Sequence, residues 1–273
     1  RFLCWLLAMA TVAECLQTVR DAVERAAAHR KAGQEVGEAA APAAPAAAEE
    51  VEGGSSSSSR RSVRLVAVSK TKPVELLKEA YEAGQRCFGE NYVQELVDKV
   101  PEMPEDVEWH FIGHLQSNKV TTLLKGCPLM ACLETLDSEK LARAVDKTWT
   151  SLYPDRKLRV MIQVNSSGEE TKNGVDPTEV ASLAGLIASE MPGLELVGLM
   201  TIGAPDYSGC RTEDFETLHK CRDEVAEKLG KDPSALELSM GMSSDFENAI
   251  REGSTSVRVG SSIFGARHYP AKK

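Results

Sequence analysis

The sequence predicts an α/β protein: a single closed (β/α)8 TIM barrel, preceded by an extra N-terminal helix and a low-complexity linker. Three observations lead there. Eight short apolar runs follow one another between residues 64 and 260, with helix-patterned segments between them, and that alternation builds βαβ units and a parallel sheet. Eight such units in roughly 210 residues suit a closed barrel better than an open doubly wound sheet. Polar and glycine-rich residues gather at the C-terminal ends of the runs, the end of a barrel where functional groups collect.

The chain opens on RFLCWLLAMA, one Arg before an apolar run too short to cross a bilayer, which takes about 20 apolar residues. Met9-Ala10 reads as a natural start, which makes residues 1–8 an upstream extension, with the front of a secretory signal peptide as the alternative. Glu14, Asp21, Glu24, Glu35 and Glu38 make this region too acidic for a transit peptide. Within residues 1–31, Val12, Leu16, Val19, Val23, Ala26 and Ala27 are spaced as the apolar face of an amphipathic helix. Residues 32–60 are Ala-, Pro-, Gly- and Ser-rich and offer almost nothing to bury, so they read as a disordered linker. The barrel occupies 61–273. Its strands are expected over 64–69, 86–89, 108–112, 129–134, 158–165, 194–201, 236–240 and 256–260, and its helices start near 73, 91, 117, 138, 177, 211 and 243.

A net charge of −9 argues against a nucleic-acid surface, which needs clustered Lys and Arg. No membrane span is expected, and the location implied is cytoplasmic, with an organelle as the alternative. The seven cysteines, Cys4, Cys15, Cys87, Cys127, Cys132, Cys210 and Cys221, are odd in number and scattered. None has CxxC or Cys/His metal spacing, so the sequence points to reduced thiols and to no metal site.

The stretch VRLVAVSKTKP places Lys70 at the end of the first strand, before a helix opened by Pro73. A lysine stem in apolar surroundings has its ammonium form disfavoured, which makes the amine a better nucleophile toward aldehydes; the plain alternative is a lysine snorkelling to solvent. Two later loops read as phosphate cradles. SMGMSS, Ser239 to Ser244, turns into a helix for which Ser243 or Ser244 would be an N-cap, and Gly260-Ser261-Ser262 ends the last strand. In barrels the loops after the last two strands often hold phosphate through backbone N–H groups. No Walker or dinucleotide-binding motif occurs. Arg258, two residues before Gly260, is an ion-pair partner or a ligand contact. A lysine for an imine, a phosphate cradle and an arginine for a pyridine nitrogen together are what pyridoxal phosphate requires. His110 reads as a packed or paired strand residue and His114 as a pocket or capping residue, while His29, His219 and His268 look superficial.

The segments AVSKTKP, FGENYVQE, WHFIGHLQSNK, LMTI, LSMGMSSDFENAI and RVGSSIFGAR resemble, in order, those of the pyridoxal phosphate homeostasis protein family over about residues 63–267. The resemblance implies a barrel like the N-terminal domain of alanine racemase that carries or buffers pyridoxal 5'-phosphate as a lysine imine, without catalytic turnover. It implies that Lys70 forms the imine, with Lys72 less suited because it lies beyond the strand end. Asn91 approaches the ring, Ser239, Ser243, Gly260 and Ser261 hold the phosphate, and Arg258 faces the pyridine nitrogen. It also implies apo forms of pyridoxal phosphate enzymes as recipients, and a monomer. A racemase-like enzyme is the alternative, with Tyr92 or His114 as the second acid/base; a Schiff-base aldolase fits the lysine but not these segments. The long segment 32–60 departs from the family and leaves the packing of the N-terminal helix open.

Overall fold

The computed structural model describes residues 10–30, 62–168, 173–203 and 211–266. The expected extension at 1–8, the linker at 32–60, Cys4, Cys210 and His268 lie outside the described residues. The chain runs α1 (Val12–Ala28), β1 (Arg64–Val68), α2 (Val74–Glu82), β2 (Cys87–Glu90), α3 (Val93–Lys99), β3 (Glu108–Phe111), α4 (Val120–Gly126), β4 (Met130–Leu136) and α5 (Glu139–Leu152). It continues with β5 (Leu158–Gln163), α6 (Val180–Glu190), β6 (Leu194–Met200), α7 (Thr212–Leu229), β7 (Glu237–Met242), α8 (Phe246–Arg251), β8 (Ser256–Val259) and α9 (Ser261–Phe264). All eight strands are parallel, and β8 closes on β1 with Val66 opposite Arg258.

Side-chain alternation along the strands divides the interior into two compartments. Ala67, Phe88, Phe111, Leu133, Val160, Ile162, Leu199, Leu238 and Val257 belong to the large core shared with the helices. Residues of the opposite parity enter the barrel. Cys132, Met161, Val197 and Met200 form a small separate apolar cluster, Val197 at a register shift between β5 and β6, and the buried polar groups of the strands include His110, Glu134, Ser239 and Arg258.

The strands fall where the alternation places them. Three helices begin a few residues later than expected. Those expected near 117 and 177 are each preceded by a turn of tighter helix, Ser117–Lys119 and Pro177–Glu179. The last of the three starts at Phe246, after a turn in which Asp245 Oδ1 accepts the Met242 N–H at 2.6 Å. Neither Ser243 nor Ser244 caps that helix; Asp245 occupies the N-cap position.

The N-terminal helix docks on the barrel. Thr11 and Glu14 cap its start reciprocally, and Leu16, Val19, Val23 and Ala26 bury its apolar face. It packs against α2, α8 and α9, and Arg20 donates to the Ala83 carbonyl at 2.7 Å. No helix among the described residues is long and apolar enough to cross a membrane. The five cysteines described are free thiols, four of them buried.

Candidate functional site

Lys70 stands on a turn between β1 and α2 that is held from below. Its neighbour Thr71 has φ of 61° and is the one non-glycine residue in the left-handed region among those described. That region is costly for a β-branched side chain and persists only where the surroundings enforce it. Glu95 accepts the Thr71 N–H at 2.8 Å. Lys99, at the end of α3, donates to the Ser69 carbonyl at 3.0 Å, to Glu90 at 2.7 Å and to Glu95 at 3.2 Å. Ser69 Oγ donates to the same Glu90 oxygen at 2.7 Å. Burial raises the pKa of Glu90, and Lys99 and Ser69 offset part of that shift.

A cleft of about 610 Å³ opens at the C-terminal mouth of the barrel beside this turn. Val68, Ile112, Ile202 and Met242 supply its apolar wall, and Lys70, Lys72, Asn91 and Arg258 its polar groups. Small residues line another part of it: Ser243, Ser244, Gly260, Ser261 and Gly265. Gly260 donates its N–H to Ser243 Oγ at 3.2 Å, and a Cβ at Gly260 would press on the Val68 carbonyl at 3.0 Å. Lys72 shares the cleft despite lying beyond the strand end; its amine donates to the Ala266 carbonyl at 2.7 Å, and partial burial lowers its pKa. Asn91 is placed by a close backbone approach, since a Cβ on Gly113 would lie 1.9 Å from the Asn91 carbonyl oxygen. Its side-chain Oδ1 is buried without a hydrogen-bond partner, a group that awaits a donor.

Arg258 rises into the cleft floor from inside the barrel and is 4% exposed. One guanidinium nitrogen donates to Ser239 Oγ and another to the Thr201 carbonyl, both at 2.6 Å. Ser239 Oγ in turn donates to Glu134 at 2.6 Å, and Glu134 is paired with His110. Burial opposes the Glu134 charge, but His110, Arg258 and Ser239 together hold its carboxyl below the usual range. Burial likewise opposes charge on His110, while Cys87 on one side and Glu134 on the other draw its pKa up to about 10.

Ser239 is placed differently from the other residues expected at the phosphate. It is fully buried, does not line the cleft, and has its hydroxyl committed to Arg258 and Glu134. Its position two residues before Gly241 puts it inside the barrel wall and leaves Ser243 beyond the strand end. Lys70, Asn91, Ser243, Arg258, Gly260 and Ser261 are brought together. Tyr92 and His114 are not: Tyr92 is 49% exposed at the start of α3, and His114 pairs with Asp137 at 3.0 Å. His29 is exposed, whereas His219 is half-buried against the Glu252 carbonyl.

Sequence reasoning passed over Lys99 and Glu95, and it placed Glu90, Glu134 and Thr201 at strand ends without giving them a role. Two signals were available. Glu90 and Glu134 each interrupt an apolar run, and a buried carboxylate needs a partner. Glu95 and Lys99 also stand four apart on one helix face.

The chain resembles proteins already known. The family model described as "Alanine racemase, N-terminal domain" matches residues 55–268. A Bos taurus protein named "Pyridoxal phosphate homeostasis protein" is 51% identical over 217 residues, 77% of this chain and 79% of that one. The chain belongs to the pyridoxal phosphate homeostasis protein family. A family member from Vibrio cholerae is 46% identical over 77% of this chain and 88% of its own. Among solved structures, PipY of Synechococcus elongatus with PLP bound is 35% identical, with a TM-score of 0.62 over 74% of this chain and 92% of that one.

Proposed function

We propose that this protein holds pyridoxal 5'-phosphate in the cleft at the mouth of the barrel and takes part in intracellular vitamin B6 homeostasis without catalytic turnover. One observation carries the reading. An amine (Lys70), an orphaned buried carbonyl oxygen (Asn91), a fixed guanidinium (Arg258) and a rim of Ser243, Gly260 and Ser261 all line one cavity. The solved relative with PLP bound and the relatives named for pyridoxal phosphate homeostasis support it.

When bound, pyridoxal phosphate supplies an aldehyde that condenses reversibly with a primary amine. Lys70 offers that amine from a turn clamped by Lys99, Glu90 and Glu95, so the stem enters the cleft from a fixed origin. Ser243, Gly260 and Ser261 would hold the phosphate end, where small side chains and the first N–H groups of α9 leave room for an anion. Asn91 Oδ1 would accept a hydrogen bond from the bound ligand. Arg258 carries donors only, so a pyridine nitrogen facing it would be held unprotonated. Ser239 and Thr201 lock its orientation.

An unprotonated pyridine ring is a poor electron sink, which suits storage and delivery more than turnover. A racemase also needs an acid/base on the face away from the lysine, and the two residues considered for it, Tyr92 and His114, do not line the cleft. The protein acts as a monomer in the cytoplasm, with apo forms of pyridoxal phosphate enzymes as recipients.

Borohydride reduction of the protein loaded with pyridoxal phosphate, followed by peptide mapping, tests the reading. A pyridoxyl group on Lys70 is expected, with loss of the label in Lys70→Ala and no racemisation of amino acids by the wild type. A label confined to other lysines, or none, overturns it.

A further inference from the structure

The opposite end of the barrel carries a cluster of ligating side chains that the cleft does not use. Cys87 opens β2, Glu108 opens β3, and the two are register partners; His110 follows Glu108 by two residues and shares its face. The Cys87 sulfur, a Glu108 carboxylate oxygen and a ring nitrogen of His110 all lie within 4.8 Å of one another. Cys87 and His110 are buried and Glu108 is exposed, so the cluster is walled by the barrel and open on one side. The Nδ1 atom of His110 is taken by Glu134, which leaves Nε2 as the nitrogen for the cluster. A carboxylate behind a histidine, with the other ring nitrogen presented forward, is the arrangement that orients metal-binding imidazoles.

We propose that Cys87, Glu108 and His110 bind one zinc-class divalent ion at the N-terminal end of the barrel, with Glu134 orienting the histidine. One sulfur, one nitrogen and one oxygen suit borderline-soft zinc, whereas magnesium and calcium take oxygen ligands. Zinc bonds of about 2.0–2.3 Å place tetrahedral ligand atoms about 3.3–3.8 Å apart, so the three atoms must close by about 1 Å. Glu108, exposed at a strand end, can supply that movement, and water completes the fourth position. Arg64, at the same end, is held on Glu237 together with Arg159. Zinc takes the thiolate and an unprotonated ring nitrogen, so uptake at neutral pH releases protons to solvent. It would tie β2 to β3 at the face of a barrel where stability is at stake.

The full-length protein, reduced and freed of metal, is titrated with Zn²⁺ by equilibrium dialysis and with Co²⁺ by absorption spectroscopy. The expected result is one equivalent bound, a thiolate-to-cobalt charge-transfer band and a raised thermal midpoint. Cys87→Ser, checked for folding by circular dichroism, should abolish both the band and the stoichiometric uptake, although Cys4, Cys15, Cys127, Cys132, Cys210 and Cys221 remain. Glu134→Gln should weaken zinc binding about 10–100-fold, and Glu108→Gln, at an exposed position, at least as much. No stoichiometric uptake by the wild type, or uptake and band unchanged in Cys87→Ser, overturns the proposal.

Discussion

Replacing Lys99 by methionine tests how the Lys70 turn is held. Methionine keeps most of the apolar stem and removes the charge. Lys99 serves three acceptors, the Ser69 carbonyl, Glu90 and Glu95. Without it, Ser69 Oγ is the remaining side-chain donor to Glu90 Oε1, while Oε2 of that fully buried carboxylate already lacks a partner. Breaking a buried ion pair from one side costs about 3–5 kcal/mol. For a domain of this size each kcal/mol moves the thermal midpoint by about 2–4 °C, so Lys99→Met should lower it by about 6–20 °C. The uncompensated charge is the cause, so adding Glu90→Gln should restore a large part of the loss.

The pH dependence follows from the same site. Burial already raises the pKa of Glu90, and losing Lys99 raises it further. A carboxyl whose folded pKa exceeds its unfolded value binds protons better when folded, so stability falls as pH rises from the ordinary carboxylate range through the folded pKa. Lys99→Met should therefore lie nearest to wild type in acid. Thermal unfolding followed by circular dichroism at about pH 5 and about pH 8 measures both effects. A loss below about 1 kcal/mol, or a double variant no more stable than the single one, would refute the clamp.

Three further outcomes are expected. Gly113→Ala puts a Cβ 1.9 Å from the Asn91 carbonyl oxygen; overpacking of this kind costs about 1–3 kcal/mol, and an absorbance titration should show weaker pyridoxal phosphate binding, whereas unchanged affinity removes Asn91 from the site. Ser243→Ala deletes the acceptor of the Gly260 N–H and should weaken pyridoxal phosphate binding about tenfold, the equivalent of about 1.4 kcal/mol, while leaving binding of unphosphorylated pyridoxal unaltered; equal losses for both ligands would place Ser243 away from the phosphate. At Glu237, burial opposes the charge but Arg64 and Arg159 hold the carboxyl below the usual range, so its stabilisation is present above the ordinary carboxylate pKa and is lost as pH falls through the depressed value. Glu237→Gln should then be less stable than wild type near neutrality and show a flatter acid limb in midpoint against pH; parallel curves would exclude this.

The local pattern of the chain was enough to read the barrel and much of the cleft. Strand and helix differ in period, and VRLVAV, EWHFIG and VRVG are apolar runs of strand length bounded by Gly, Ser or Lys. The end of a parallel strand is an exposed mouth, so residues just beyond it, Lys70, Asn91, Ser243, Gly260 and Ser261, converge whatever the details of packing. Ser239 marks the limit of that reasoning. It lies only four residues before Ser243, yet strand parity turns it into the barrel, where it meets Glu134 and Arg258.

The sequence by itself determined the alternation of elements, the closure into eight units, the lysine at the first strand end and the small residues at the last two. Tertiary structure alone decided which charges are buried together. Lys99 reaches Ser69, 30 positions earlier, Ser239 reaches Glu134 across 105 positions, and His110 stands between Cys87 and Glu134 from three different strands. The physical reason is that periodicity records whether a side chain meets apolar surroundings or water, a local property of each element. The partner of a buried polar group is set by strand register and barrel closure, which bring distant positions together and leave no spacing in the chain to read.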